Sequence, residues 1–131
     1  ALASDHAGFP LKEAVAAHLQ STGYEVLDFG TNSHVSVDYP DYVRPAAQAV
    51  ADGRAPLGIV ICGTGLGVCM TANKVHGIRA ARCTDEYSAR MSRRHNDANV
   101  LCLGQRVTGV GLALSIVDAW LSESFEGGRH A

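Results

Sequence analysis

Leu57-Gly58-Ile59-Val60-Ile61-Cys62-Gly63-Thr64-Gly65-Leu66-Gly67 is the stretch on which the fold turns. Its first six residues form a continuous apolar run, which breaks into a glycine-rich turn and then into a helical stretch over Leu66–Lys74. A strand that is apolar on both faces and feeds straight into a helix belongs to a parallel sheet covered on both sides. Four other runs read as strands: Ala1–Ser4, Tyr24–Phe29, Ile78–Arg82 and Asn99–Leu103. Helices fill the intervals. Phe9–Thr22 carries Leu11, Val15 and Leu19 at four-residue spacing, and Gly109–Glu123 carries Leu112, Ile116 and Trp120 beside Ala113, Val117 and Leu121. Tyr42–Asp52 and Glu86–Arg94 complete the set, while Gly30–Pro40 reads as a polar loop without periodicity. The pattern predicts an α/β fold: a three-layer α/β/α sandwich, Rossmann-like, around a five-stranded, mainly parallel sheet. With 131 residues and no visible linker or repeat, it predicts one domain over 1–131.

Composition narrows the function. Apolar residues make up 47% of the chain and charged residues 18%, which suits a packed globular core and not a disordered tail. The longest apolar runs fall short of the ~20 residues a membrane helix needs, and no basic-then-apolar signal opens the sequence, so a soluble, cytoplasmic protein without a membrane partner is expected. A formal net charge of −2 does not favour nucleic acid as a partner, so any anion must be held by a local site. The 11 cations are nearly all Arg, whose planar fork matches phosphate oxygens, although an Arg-rich chain also reflects genome composition. Cys62, Cys69, Cys83 and Cys102 include no Cys-x-x-Cys pair, which points to free thiols instead of a disulfide framework or a structural zinc site.

In a parallel sheet, ligands bind where strands end and helices begin, because loop amides and helix N-termini point into the crevice at the carboxyl edge. Polar groups gather at those ends here: Ser4-Asp5-His6, Cys62-Gly63-Thr64-Gly65, Cys83-Thr84-Asp85 and Gly104-Gln105-Arg106. The glycines at 63, 65 and 67 let backbone N–H groups converge on an anion, but the pattern is neither a Walker A loop nor a dinucleotide fingerprint, since Val68 stands where a third glycine would fall. The same residues also read as a tight turn beside a buried thiol. A helix N-terminus after the loop favours the thiolate, making Cys62 a candidate base or nucleophile and the thiol expected to alkylate before Cys69 or Cys102. Asp5 and His6 are candidates to move a proton or hold an anion, or else an N-cap and a turn residue. His95-Asn96-Asp97 closes a helix, where His also serves simply to complement the dipole, and Arg129-His130 follows two glycines as a phosphate clamp or a frayed end. No metal-ligating cluster can be assembled from the sequence.

Together these segments resemble the type B ribose-5-phosphate isomerases, in the family that also includes allose-6-phosphate and galactose-6-phosphate isomerases. The blocks that carry the resemblance are Ser4-Asp5-His6-Ala7-Gly8, Gly30-Thr31, Asp38-Tyr39-Pro40, Ile61-Cys62-Gly63-Thr64-Gly65, Ala72-Asn73-Lys74 with Gly77-Ile78-Arg79-Ala80, His95-Asn96-Asp97-Ala98-Asn99 and Glu126-Gly127-Gly128-Arg129-His130. The resemblance implies an aldose–ketose isomerase for a phosphorylated sugar, with no metal and no cofactor, acting as a homodimer or dimer of dimers with sites shared between subunits. It makes Cys62 the base that moves the proton between C1 and C2, and His95 of the neighbouring subunit, with Asp5 nearby, the group that opens the furanose ring. Thr64 and the amides of Gly63, Gly65, Leu66, Gly67 and Val68 would hold the enediolate, Asn96 would orient the sugar, and His6, Arg106 and Arg129 would take the phosphate. One branch of the family uses a glutamate where this chain has Val68, so the cysteine branch is implied. Because the Asp-His, Cys-Gly-Thr-Gly and His-Asn-Asp blocks stand on one chain, ribose 5-phosphate is favoured over galactose 6-phosphate. Two other readings stay open: covalent catalysis of phosphoryl or acyl transfer by Cys62, and a non-catalytic binder of a phosphorylated metabolite.

Overall fold

The computed structural model describes residues 1–31 and 40–130. Four strands, β1 (Leu2–Ser4), β2 (Gly58–Cys62), β3 (Ala80–Arg82) and β4 (Val100–Gly104), pair in the order β1-β2-β4-β3 with every pairing parallel. Five α-helices join them: α1 (Phe9–Ser21), α2 (Pro40–Ala51), α3 (Leu66–Asn73), α4 (Glu86–Arg94) and α5 (Val110–Leu121).

The strands alternate strictly between two apolar cores, as the two-residue period of a pleated strand requires. Leu2, Ile59, Ile61, Leu101 and Leu103 face Leu11, Val15 and Leu19 of α1, Ala89 of α4 and Ile116, Val117 and Trp120 of α5. Ala3, Val60, Cys62, Val100 and Cys102 face Val43, Ala46, Ala47 and Val50 of α2 with Val68 and Ala72 of α3. The result is the three-layer sandwich that the doubly apolar strands imply.

The expected fifth strand, Tyr24–Phe29, is not a strand. Residues 27–31 run beside β1 and exchange backbone hydrogen bonds with it, Leu2 N to Leu27 O at 2.9 Å and Phe29 N to Leu2 O at 2.8 Å, yet only one bridge forms, Leu2 with Asp28. The reason lies in Asp28. Its carboxylate accepts the Gly30 N–H at 2.8 Å and the Lys12 ammonium at 2.6 Å, and Gly30 takes φ of +100°, outside the strand region. The polar loop expected over Gly30–Pro40 lies outside the described residues from 32 to 39.

Topology fixes where a ligand fits. From β1 the chain goes to one side with residues 27–31 and returns to the other with β2, so the strand order reverses at the carboxyl ends of β1 and β2. That is the crevice in which open α/β sheets bind ligands. β4 lies beside β2, bringing a third strand end to the same place.

Candidate active site

Three loops meet at this crevice. After β2, Gly65 adopts φ of +82°, and a Cβ there would stand 3.1 Å from the Leu103 carbonyl carbon, so both the backbone conformation and the contact select glycine. This turn brings the Gly65 N–H to 3.1 Å from Cys62 Sγ, a donor aimed at the sulfur from the start of α3. Cys62 is 5% exposed, at the floor of the crevice. Leu66 N–H donates to Thr64 Oγ1 at 3.2 Å. Gly67 and Val68 follow in the first turn of α3, where backbone N–H groups have no intrahelical acceptor.

The loop after β4 is fastened to that turn. Gln105 N donates to Cys62 O and Arg106 N to Gly63 O, both at 2.9 Å, and the Arg106 side chain passes over the Gly63 backbone. After β1, Asp5 is buried, donates its N–H to Ile61 O at 3.3 Å and caps the short turn His6–Gly8 by accepting the Gly8 N–H at 3.0 Å. The structure therefore brings together Asp5, His6, Cys62, Gly63, Thr64, Gly65, Leu66, Gly67, Val68 and Arg106. Asp5 is the N-cap that its position also allowed, and its carboxylate is held at the crevice by that role.

His95, Asn96 and Arg129 stand elsewhere in the same chain. Helices in a parallel sandwich run against the strands, so the end of α4 is at the amino edge of the sheet. There Asn99 N donates to Arg79 O at 3.0 Å and Gly58 N to Asn99 O at 2.9 Å, just ahead of β4 and β2. Cys62 is at the far end of β2, roughly 13 Å along at ~3.3 Å per residue. At the amino edge His95 stacks on His130 with ring centroids 4.1 Å apart and an interplanar angle of 12°. Its Nε2 lies 3.5 Å from Glu126 Oε1, and Arg94 grips Glu126 Oε2 through Nε at 3.0 Å. That guanidinium holds the Glu126 carboxyl below the usual carboxylate range. Asn96 contributes its carbonyl oxygen to Arg79 Nε at 2.6 Å. Arg129 is exposed on the turn Gly128–His130.

The profile of the ribose/galactose isomerase family matches residues 1–131. The chain belongs to this family. It is 54% identical over 130 residues to the ribose-5-phosphate isomerase B of Escherichia coli, covering 99% of this chain and 87% of that one. The D-erythrulose-4-phosphate isomerase of Pectobacterium atrosepticum is 45% identical over 132 residues, covering 100% of this chain and 87% of that protein. Among solved structures, the ribose-5-phosphate isomerase B of Clostridium thermocellum superposes with a TM-score of 0.97 at 60% identity, over 98% of this chain and 87% of that one. The Mycoplasma genitalium enzyme with bound ribulose-5-phosphate gives 0.94 at 45% identity, over 98% and 86%.

In this member of the family, the contacts of two groups escape a sequence reading. Arg82 ends β3 and donates from Nε to Thr64 O at 2.7 Å, adding a second guanidinium to the loop. Gln105 accepts the Leu11 N–H through Oε1 at 2.8 Å and so ties α1 to the loop after β4. Both stand at the carboxyl edge, where the sequence places Gln105 among the polar groups and Arg82 only as the last residue of a strand; their contacts are what it does not disclose. Cys69 also differs from expectation. It is half-buried, and its hydrogen bond with Cys102, aided by Arg82 and opposed by burial, brings its thiol down to about 7. Cys102 is pushed well up by the same hydrogen bond and by burial, and burial raises Cys83 to about 11. A metal-ligating cluster, absent from the sequence reading, is present in space: His95, Glu126 and His130 offer ligand atoms within 4.8 Å of one another.

Proposed function

We propose that the chain interconverts D-ribose 5-phosphate and D-ribulose 5-phosphate by ring opening and proton transfer through a cis-enediolate, with Cys62 as the base. The observation that carries this reading is the Cys62 sulfur, held by the Gly65 N–H at the mouth of a loop of converging amides in a chain 54% identical to a ribose-5-phosphate isomerase B. The sulfur takes the C2 proton and returns it to C1. The N–H groups of Gly67 and Val68, with the Thr64 hydroxyl, meet the negative charge that develops on O1 and O2, donors that count most as charge forms. His6 and Arg106 take the phosphate, whose binding orients the reacting end. Arg82, through Thr64, adds positive potential to the loop.

His95 opens the ring from a second copy of the chain. Within one chain it is at the other edge of the sheet from Cys62, as are Asn96 and Arg129, so a two-fold neighbour would deliver all three at once. Exposed apolar side chains beside the loop, Leu66 and Met70 one turn apart on α3 with Val107 and Val110 on the flank, support docking of that neighbour.

The test is mixing. Cys62→Ala and His95→Ala homodimers are each expected to be inactive, whereas a mixed dimer retains one site with both groups. Random exchange makes about half the population mixed, each with one of two sites intact, so turnover should recover to roughly a quarter of wild type. Conversion of ribose 5-phosphate is followed by NMR in heavy water, which also reports deuterium entry at C2 of the aldose. No recovery after verified subunit exchange would refute the shared site, and a folded wild-type protein that converts neither pentose phosphate would refute the activity.

A further inference from the structure

We propose that His95, Glu126 and His130 form a transition-metal site that takes Zn²⁺ on three protein ligands with one position open. The geometry is set by Glu126 Oε1, which faces two imidazole nitrogens at once, His95 Nε2 at 3.5 Å and His130 Nε2 at 3.9 Å. All three ligand atoms fall within 4.8 Å of one another. Zinc bonds of about 2.0–2.2 Å in a tetrahedron put neighbouring ligand atoms roughly 3.4 Å apart, so the two contacts to the carboxylate need only small contractions.

The supporting shell is already built. Arg94 holds the other carboxylate oxygen, Oε2, through Nε at 3.0 Å and through its terminal nitrogen at 2.5 Å, leaving Oε1 turned toward the imidazoles. The Glu126 N–H donates to Arg94 O at 3.0 Å, fastening the ligand segment to the end of α4. Hydrogen-bonded outer partners of this kind orient a ligating carboxylate. The two rings lie nearly parallel, so one must turn for both lone pairs to converge. His130 can turn, because it sits on a three-residue turn with no buried member. Two imidazoles and one carboxylate suit zinc and its first-row neighbours, whereas magnesium and calcium prefer all-oxygen shells.

A bound ion takes the Nε2 lone pair of His95. On the reading that His95 opens the sugar ring, zinc here acts as an inhibitor.

The experiment uses the full chain stripped of metal with a chelator and titrated with Co²⁺. One equivalent per chain should bind and give the visible absorption of four-coordinate cobalt, which Zn²⁺ should abolish by displacement. Glu126→Gln and His130→Ala, neither of them buried and both checked for native circular dichroism, should each weaken binding at least 10-fold. No cobalt spectrum, a spectrum that both variants leave intact, or a strong sulfur-to-cobalt band showing the ion on the cysteines would overturn the site. Zinc should slow isomerisation in proportion to occupancy, with His130→Ala needing at least 10-fold more zinc. Full occupancy of the site without loss of turnover would leave the site standing and count against His95 as the ring-opening group, so the two readings fail separately.

Discussion

Adding one methyl group at Gly104 should damage catalysis while leaving the fold in place. A Cβ built there lies 2.5 Å from both the carbonyl carbon and oxygen of Thr64 and 2.9 Å from its Cα. Ordinary contact begins near 3.4 Å, so the Thr64 backbone must retreat by about 0.9 Å. It cannot retreat alone: Thr64 O accepts from Arg82 at 2.7 Å, and the carbonyls of Cys62 and Gly63 accept from Gln105 and Arg106, both at 2.9 Å. The displacement is therefore transmitted to the Cys62 sulfur and to the amides of the glycine loop, the groups proposed to serve the reaction. A misplacement near 1 Å in a catalytic constellation costs on the order of 10²-fold in rate. Overpacking of this kind costs roughly 1–3 kcal/mol in stability, which a native domain survives. Initial rates on ribose 5-phosphate and a urea midpoint, measured on Gly104→Ala, separate the two effects. Gly111→Ala is the control: on the exposed side of α5 its Cβ meets nothing within 4 Å, so activity should be unchanged and stability should rise by up to ~1 kcal/mol. Wild-type kcat/KM in a folded Gly104→Ala protein would refute the idea that this backbone contact sets the geometry of the site.

Iodoacetamide at neutral pH should label Cys69 ahead of Cys62, reversing the order the sequence suggests, because Cys69 is half-buried with its thiol brought to about 7 and Cys62 is 5% exposed. Peptide mass spectrometry at partial labelling that finds Cys62 modified first would contradict this. Asp28→Ala should cost on the order of 3 kcal/mol in urea unfolding, since the fully buried Lys12 side chain loses the carboxylate at 2.6 Å, and the Glu13 carboxylate stands farther off at 3.2 Å and is itself half exposed. Adding Lys12→Met should restore much of the loss, and an Asp28→Ala protein as stable as wild type would show that the pair contributes nothing.

The parallel sheet was legible because Leu57–Cys62 and Val100–Leu103 run without polar alternation, a pattern that suits a strand covered on both faces. The missing fifth strand was not, because the choice is made by Asp28, whose carboxylate is engaged by Lys12 from α1 and so diverts its own backbone from the ladder. Cys62 could be singled out by its neighbours in sequence, since its donor, Gly65, is three residues on. The contacts that Arg82 and Gln105 make could not be read, because their partners are 18 and 94 residues distant and meet them only once the strands are in register. The same holds for the contact between Cys69 and Cys102, which exists only when α3 is docked on β4.

The division of the family's blocks between the two edges of the sheet follows from the order of elements. Cys62 must end a strand to meet the N-terminus of α3, and His95 must end a helix that runs the opposite way, so no relaxation of side chains within one chain can join them across the length of β2. A site that needs both groups can be completed only by a second molecule. The apolar side chains Leu66 and Met70 flank the loop on the helix that begins there, so the surface suited to receive that molecule is continuous with the donors that would serve the reaction. Association and catalysis would then share one element, α3. Its first turn supplies amides to the substrate and its exposed face supplies contact to the neighbour, so a change in docking at Met70 would be felt one turn away at Leu66 and the glycine loop.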